Sequence, residues 1–117
     1  MRFPSPTECQ WWLSDGVTYM TLDAVMFTTP AEATTRFASI KQRETNAQYS
    51  TSTRPEPGIG EDAFSAFYTN YLNGFGREVL VARKGSFVLT INLVSAGGDS
   101  LLRGRAEVTA RAAIAGM

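Results

Sequence analysis

Cys9 is the one thiol in a chain that contains no histidine. A cysteine attacks as its thiolate, and the neighbour that most often generates one is an imidazole. Without that group Cys9 reads as a small, chemically quiet hydrophobe. The missing histidine also removes the commonest general base and the commonest metal ligand. Two further spacings touch on chemistry. Gly58-x-Gly60-x-x-Ala63 matches a loose form of the dinucleotide fingerprint, in which glycine backbone lets a pyrophosphate approach a helix N-terminus. Here it follows Pro55 and Pro57 instead of a strand, opens an extended segment, and holds Glu61-Asp62 where the phosphates would lie. It reads as a structural turn that uses glycine's backbone freedom. Glu61 and Asp62 point to opposite sides of an extended chain, which separates them as an acid/base pair. No catalytic, cofactor or metal residue is predicted, and an enzyme ranks last among the function classes.

Composition narrows the rest. Eleven basic residues balance eleven acidic ones, so the chain lacks the positive footprint that a phosphate backbone requires, and no nucleic-acid partner is expected. No apolar run approaches the ~18 residues of a bilayer span. Met1-Arg2-Phe3-Pro4-Ser5-Pro6 runs straight into polar sequence, so no signal peptide is read and the chain as written is expected in the cytoplasm. At 117 residues, 44% apolar and 19% charged, it reads as a single globular domain over 1–117.

The elements that would position any site follow from periodicity and turn chemistry. Asp15-Gly16 marks a two-residue hairpin turn, which opposes Trp12 to Tyr19, Trp11 to Met20 and Cys9 to Leu22. One face of that hairpin carries Cys9, Trp11, Leu13, Met20, Leu22, Ala24 and Met26 and reads as core. The other carries Trp12, Tyr19, Asp23, Val25 and Phe27, too aromatic for a simply solvated surface. Asp23 there is either a rim residue in water or a polar anchor in a binding surface. Thr29-Pro30-Ala31-Glu32 starts a helix with a capping box, and Ala33, Phe37 and Ile40 form its apolar stripe. Residues 48–60 read as a loop in which the Ser/Thr run could form a short edge strand.

Ala63 to Tyr68, Glu78 to Arg83 and Ser86 to Val94 are strands, with a glycine- and aromatic-rich loop at Asn70 to Gly76. A turn at Lys84-Gly85 opposes Ala82 to Phe87 and Leu80 to Leu89, with Val81 and Val88 on the reverse face. Ser100 to Ala115 forms a final helix that buries Leu101, Val108 and Ala112, with Arg103, Arg105 and Arg111 solvated. The order β-β-α-β-β-β-α predicts an α+β two-layer sandwich: a mainly antiparallel sheet of about five strands with both helices on one face.

Cys9-Gln10-Trp11, the Thr-Pro-Ala-Glu helix start, Gly58-Ile59-Gly60-Glu61-Asp62-Ala63 and Val81-Ala82-Arg83-Lys84-Gly85 occur in that order. The string resembles the C-terminal half of uncharacterised bacterial secreted or lipoprotein domains of the C-x-W … G-[LI]-G-[DE]-x-A … V-x-K-G type, from about Cys9 to Met117. The resemblance implies an extracytoplasmic location and a ligand-binding or sensory role. It also implies that the cysteine pairs with another one in an N-terminal segment that this sequence does not contain. It supplies no catalytic residue.

With both helices on one face, the other face would display Trp12, Tyr19, Val25, Val81 and Val88, a larger apolar patch than monomers usually expose. The leading expectation is therefore a small binding or interaction module that self-associates, as a dimer, through that face. The second is a small-molecule-binding domain with an aromatic cleft near Trp12, Tyr19, Tyr68, Tyr71 and Phe75, taking a small apolar or aromatic ligand, with Asp23 as its polar anchor.

Overall fold

The computed structural model describes the backbone of residues 7–12, 19–45, 50–72, 75–95 and 99–116, and the side chains of 20–45, 52–68, 75–95 and 101–116. Its elements are β1 (Thr7–Trp12), β2 (Tyr19–Met26), α1 (Pro30–Thr45), β3 (Ser50–Pro55), β4 (Asp62–Leu72), β5 (Phe75–Lys84), β6 (Phe87–Ser95) and α2 (Asp99–Ala115). The strands form one antiparallel sheet in the order β1-β2-β6-β5-β4-β3. The α+β class, the antiparallel sheet and the two helices are as the sequence predicts. The Ser/Thr run does form an edge strand, which brings the sheet to six.

Local chemistry accounts for most boundaries. Trp12 pairs with Tyr19, Trp11 with Met20 and Cys9 with Leu22, the register expected from an Asp15-Gly16 turn. That turn, and the expectation that Cys9, Trp11 and Leu13 face the core, lie outside the described residues and side chains. The capping box at α1 is reciprocal: Glu32 N donates to Thr29 Oγ1, and Thr29 N donates to Glu32 Oε1, both at 3.2 Å. The last hairpin differs in detail. Lys84 pairs with Phe87 and Ala82 with Leu89, so the loop is Gly85-Ser86, with Gly85 at φ 57°. The pairing is offset by two residues from the expected one. An even offset leaves every side chain on its expected face, because the strand period is two. The loop expected at 70–76 is largely strand, since β4 continues to Leu72 and pairs with Phe75 after an irregularity.

The helices do not share a face. Ala33, Phe37 and Ile40 of α1 pack with Phe64, Ala66, Val79, Val81 and Val88. Ala106, Ala110 and Ile114 of α2 pack with Leu80, Ala82, Leu89 and Ile91. Adjacent residues of β5 thus go to opposite layers, and the sheet is covered on both sides. The topology requires this: α1 leaves β2, beside β6, and must cross the sheet to reach β3 at the far edge, while α2 folds back after β6 on the free side. Strands β4 and β5 show the consequence, with 63–68 and 78–82 buried without interruption, the pattern of strands covered on both faces.

The orientation of α2 also departs from expectation. Leu102, Ala106, Ala110 and Ile114 point inward, whereas Leu101 and Val108 are 50% and 68% exposed and Ala112 is also exposed. Two stripes of similar apolarity compete on this helix. The sheet beneath already supplies large residues in Leu80, Leu89 and Ile91, so the alanine-rich stripe fits closest.

Candidate functional site

Between α1 and the sheet lies a cleft of about 440 Å³. Register builds its floor: Val25 pairs with Val88, Asp23 with Thr90, and Asn92 follows along β6. Its wall is one face of α1, where Arg36, Ile40 and Arg43 stand at i, i+4 and i+7 and Glu44 beside them. Phe27, just past β2, and Arg77 of β5 complete the lining. Three guanidinium groups meet two carboxylates there, which leaves one net positive charge over an apolar strip of Val25, Val88 and Ile40.

The Arg77 side of this cleft is rigidly organised. Arg77 donates from Nε and Nη2 to Asn92 Oδ1, at 3.1 and 2.6 Å. Its Nη1 lies 3.6 Å from Glu44 Oε1, and its guanidinium stacks 4.8 Å above the Tyr68 ring. Tyr68 Oη in turn donates to Glu44 Oε1. Burial, then the carboxylate beside it, pushes the Tyr68 phenol up to about 12. This cluster is assembled from α1, β4, β5 and β6, so it fixes the C-terminal end of α1 on the sheet and orients one wall of the cleft.

A second charged cluster sits under α2. Arg103 Nε is 2.7 Å from Glu56 Oε2 and 3.4 Å from Glu107 Oε2, and Ser65 Oγ donates to Glu56 Oε2 at 2.7 Å. Burial works against the Glu56 charge, but hydrogen bonds from Glu107, Ser65 and Arg103 outweigh it and hold Glu56 below the usual carboxylate range. The hydrogen bond to Glu56, with burial and repulsion between the two carboxyls, raises Glu107. Arg103, expected on the solvated side of α2, turns inward to serve this pair. Deeper in the same layer Arg54 Nη2 lies 3.6 Å from the fully buried Glu78 carboxylate. These groups lock α2 to β3–β5, and Glu56 also borders a smaller hollow of about 240 Å³ along residues 55–63.

The sequence-predicted residues divide into three groups. Asp23, Val25 and Val88 come together on the cleft floor. Val81 and Tyr68 do not join an open surface: they are 0% and 4% exposed beneath α1, and Val88 is only 3% exposed, so the expected open sheet face is closed across β4–β6. Phe75 is half-buried at the start of β5, away from the cleft lining. The backbones of Trp12 and Tyr19 pair and Tyr71 lies in β4, while their side chains are outside those described.

Sequence reasoning missed Arg36, Ile40, Arg43, Glu44, Arg77, Thr90 and Asn92 as one lining. Glu44 carried a usable signal, a charge eleven residues after Ala33 on the apolar stripe of α1. Asn92 carried another, a polar residue two positions past Thr90 in the most apolar strand. Among the described residues no group of three or more Cys, Asp or Glu is placed to hold a metal ion. Comparison with protein-family models, curated proteins and solved structures gave no match.

Proposed function

We propose that this chain is a non-catalytic small-molecule-binding module whose ligand sits in the cleft between α1 and strands β2 and β6. One observation carries the reading: a concavity of about 440 Å³, inside the size range of small-ligand sites, whose polar groups converge over an apolar floor. The Glu44–Tyr68–Arg77–Asn92 cluster supports it, because a wall fixed in advance lowers the ordering cost of binding. The enclosed apolar positions are aliphatic with a single aromatic, Phe27, so the cleft is less aromatic than the sequence suggests. The test is amide chemical-shift mapping of the labelled chain against a small-molecule library. Shifts concentrated on Val25, Ile40, Val88 and Thr90 support the module; binding that leaves those amides still refutes it.

Self-association is a second reading, and its surface moves. With Val81 and Val88 under α1, the exposed large apolar residues among those described are Met26 at the end of β2 and, on the outer side of α2, Leu101 and Val108. Leu101 and Val108 are seven residues apart and therefore on one helical face. Two such faces, packed antiparallel about a twofold axis, would bring Val108 against its counterpart in a second copy. Light scattering on the parent and on Val108→Glu tests this: a dimer that becomes monomeric supports it, and a monomeric parent refutes it.

A further inference from the structure

The distribution of charge around the cleft narrows what it would take, and this step rests on the binding reading above. Arg77 is committed, with three of its nitrogens turned to Asn92 and Glu44 and its plane stacked on Tyr68. Glu44 is shared in turn between Arg77 and Arg43, whose Nη2 lies 3.6 Å away. Arg36 is different. It is exposed on the wall, and among the described residues no carboxylate pairs with it. The residue one turn earlier that could do so, Glu32, gives its carboxylate to Thr29 N and Oγ1 in the capping box. The local architecture thus spends the nearest acid on starting the helix and leaves Arg36 facing the cleft.

Arg36 and Arg43 lie about 10 Å apart along the helix, at 1.5 Å per residue, so two long side chains flank the stretch of wall that holds Ile40. Below them are Val25 and Val88, and next along the floor come Asp23 and Thr90. An anion at the wall meets guanidinium donors; the same anion at the floor would meet the Asp23 carboxylate. A dianion overshoots the single net positive charge of the lining, whereas a monoanion balances it. We infer that the cleft takes a small carboxylic acid: its carboxylate on Arg36 at the α1 wall and its apolar body over Val25 and Val88.

Three small aromatic probes that differ in the charge of the headgroup test this: 4-hydroxyphenylacetate, its neutral amide 4-hydroxyphenylacetamide, and phenyl phosphate, titrated into the labelled chain up to about 10 mM, a tenfold excess over a millimolar dissociation constant. The expected result is shifts at Val25, Ile40, Val88 and Thr90 with the carboxylate, and binding of the amide weaker by about tenfold or more, the loss of one charge-assisted hydrogen bond. Arg36→Gln should weaken the carboxylate by a similar factor and leave the amide unchanged. Lys41→Gln, exposed on the same helix but outside the lining, should change neither. Equal binding of acid and amide at the cleft overturns the carboxylate assignment and leaves the cleft as a binding site. Tighter binding of phenyl phosphate overturns the monoanion argument. No shift at the cleft from any of the three overturns the assignment and the binding reading together.

Discussion

Gly60 offers the sharpest test of how the sequence builds this fold, because Gly58 and Gly85 share its backbone conformation and neither shares its surroundings. Gly58, Gly60 and Gly85 have φ of 82°, 62° and 57°, all in the left-handed region. An alanine there costs about 1–2 kcal/mol relative to glycine, and about 0.4–1 kcal/mol is returned because alanine stiffens the unfolded chain. At Gly58 and Gly85 a new Cβ meets nothing within 4 Å, so that difference is the whole effect. At Gly60 the Cβ would sit 2.6 Å from Arg83 O and 3.2 Å from Ile114 Cδ1.

Arg83 O cannot retreat freely. It accepts the Glu61 N–H at 2.8 Å, and Glu61 Oε1 holds both Gly85 N at 2.7 Å and Arg83 Nη1 at 3.0 Å. The clash therefore falls on the clamp that ties the 58–61 turn to the β5–β6 hairpin and on the end of α2. Overpacking of this kind adds about 1–3 kcal/mol. Gly60→Ala should cost roughly 2–4 kcal/mol, which lowers Tm by on the order of 10 °C for a chain this size. Gly58→Ala and Gly85→Ala should stay within about 1.5 kcal/mol of the parent. Urea unfolding of the four proteins, with slopes compared as well as midpoints, measures it. If Gly60→Ala is no worse than Gly58→Ala, the close approach to Arg83 is not the reason for glycine at this position.

Three other outcomes follow from the same geometry. Tyr68→Phe removes a donor from the buried Glu44 carboxylate and should destabilise by about 1–3 kcal/mol; in the parent, a spectrophotometric titration should show one tyrosine ionising near 12, and stability present below the ordinary tyrosine range should be lost as pH rises through that value. Glu56 and Glu107 pull in opposite directions: Glu56, held low, contributes stability that is lost as pH falls through its pKa, and Glu107, held high, contributes stability that is lost as pH rises through its own. Glu107→Gln, which keeps a donor for Glu56 without a charge, should flatten the loss on the alkaline side, and urea midpoints that keep the parental slope there would contradict the pairing. Leu102→Ala should cost about 2–5 kcal/mol and Val108→Ala less than about 0.5 kcal/mol, and a reversed order by thermal unfolding would mean that α2 is rotated.

The elements governed by local chemistry were readable from the sequence, and those governed by layer assignment were not. The β1–β2 register and the α1 cap depend on a few adjacent side chains, Asp15-Gly16 and Thr29 with Glu32, and both agree with the structure. Which side of the sheet a helix takes depends on where the chain must go next, and that is a property of β3 lying at the far edge. A hint was present: Val79-Leu80-Val81-Ala82 is apolar without alternation, as a strand covered on both faces should be. Read by alternation alone, the same run assigns Val81 to an open surface. The orientation of α2 was ambiguous for a different reason, since alanine counts little in a hydrophobic pattern yet packs closest against a sheet already filled by leucines and isoleucine.

The candidate site was only half legible for the same physical reason. Asp23, Val25 and Val88 lie on one face by strand periodicity, which a sequence displays directly. Arg36, Glu44 and Arg77 join them only because α1 crosses β5 and β6, a contact between segments more than thirty residues apart. Their types gave weak signals singly: an arginine on a polar helix face is ordinarily solvated, and an arginine in a strand is ordinarily an edge. What makes the group informative is the way the acids are spent. Glu44 satisfies Tyr68 and Arg77, and Glu32 satisfies the helix start, so each carboxylate of α1 within reach of the cleft has a structural duty. A helix built in that way carries uncompensated positive charge on the side that faces the groove, while its stability is secured by contacts elsewhere. The fold can therefore lose or exchange Arg36 at little cost to stability, and a change there should register in binding before it registers in unfolding.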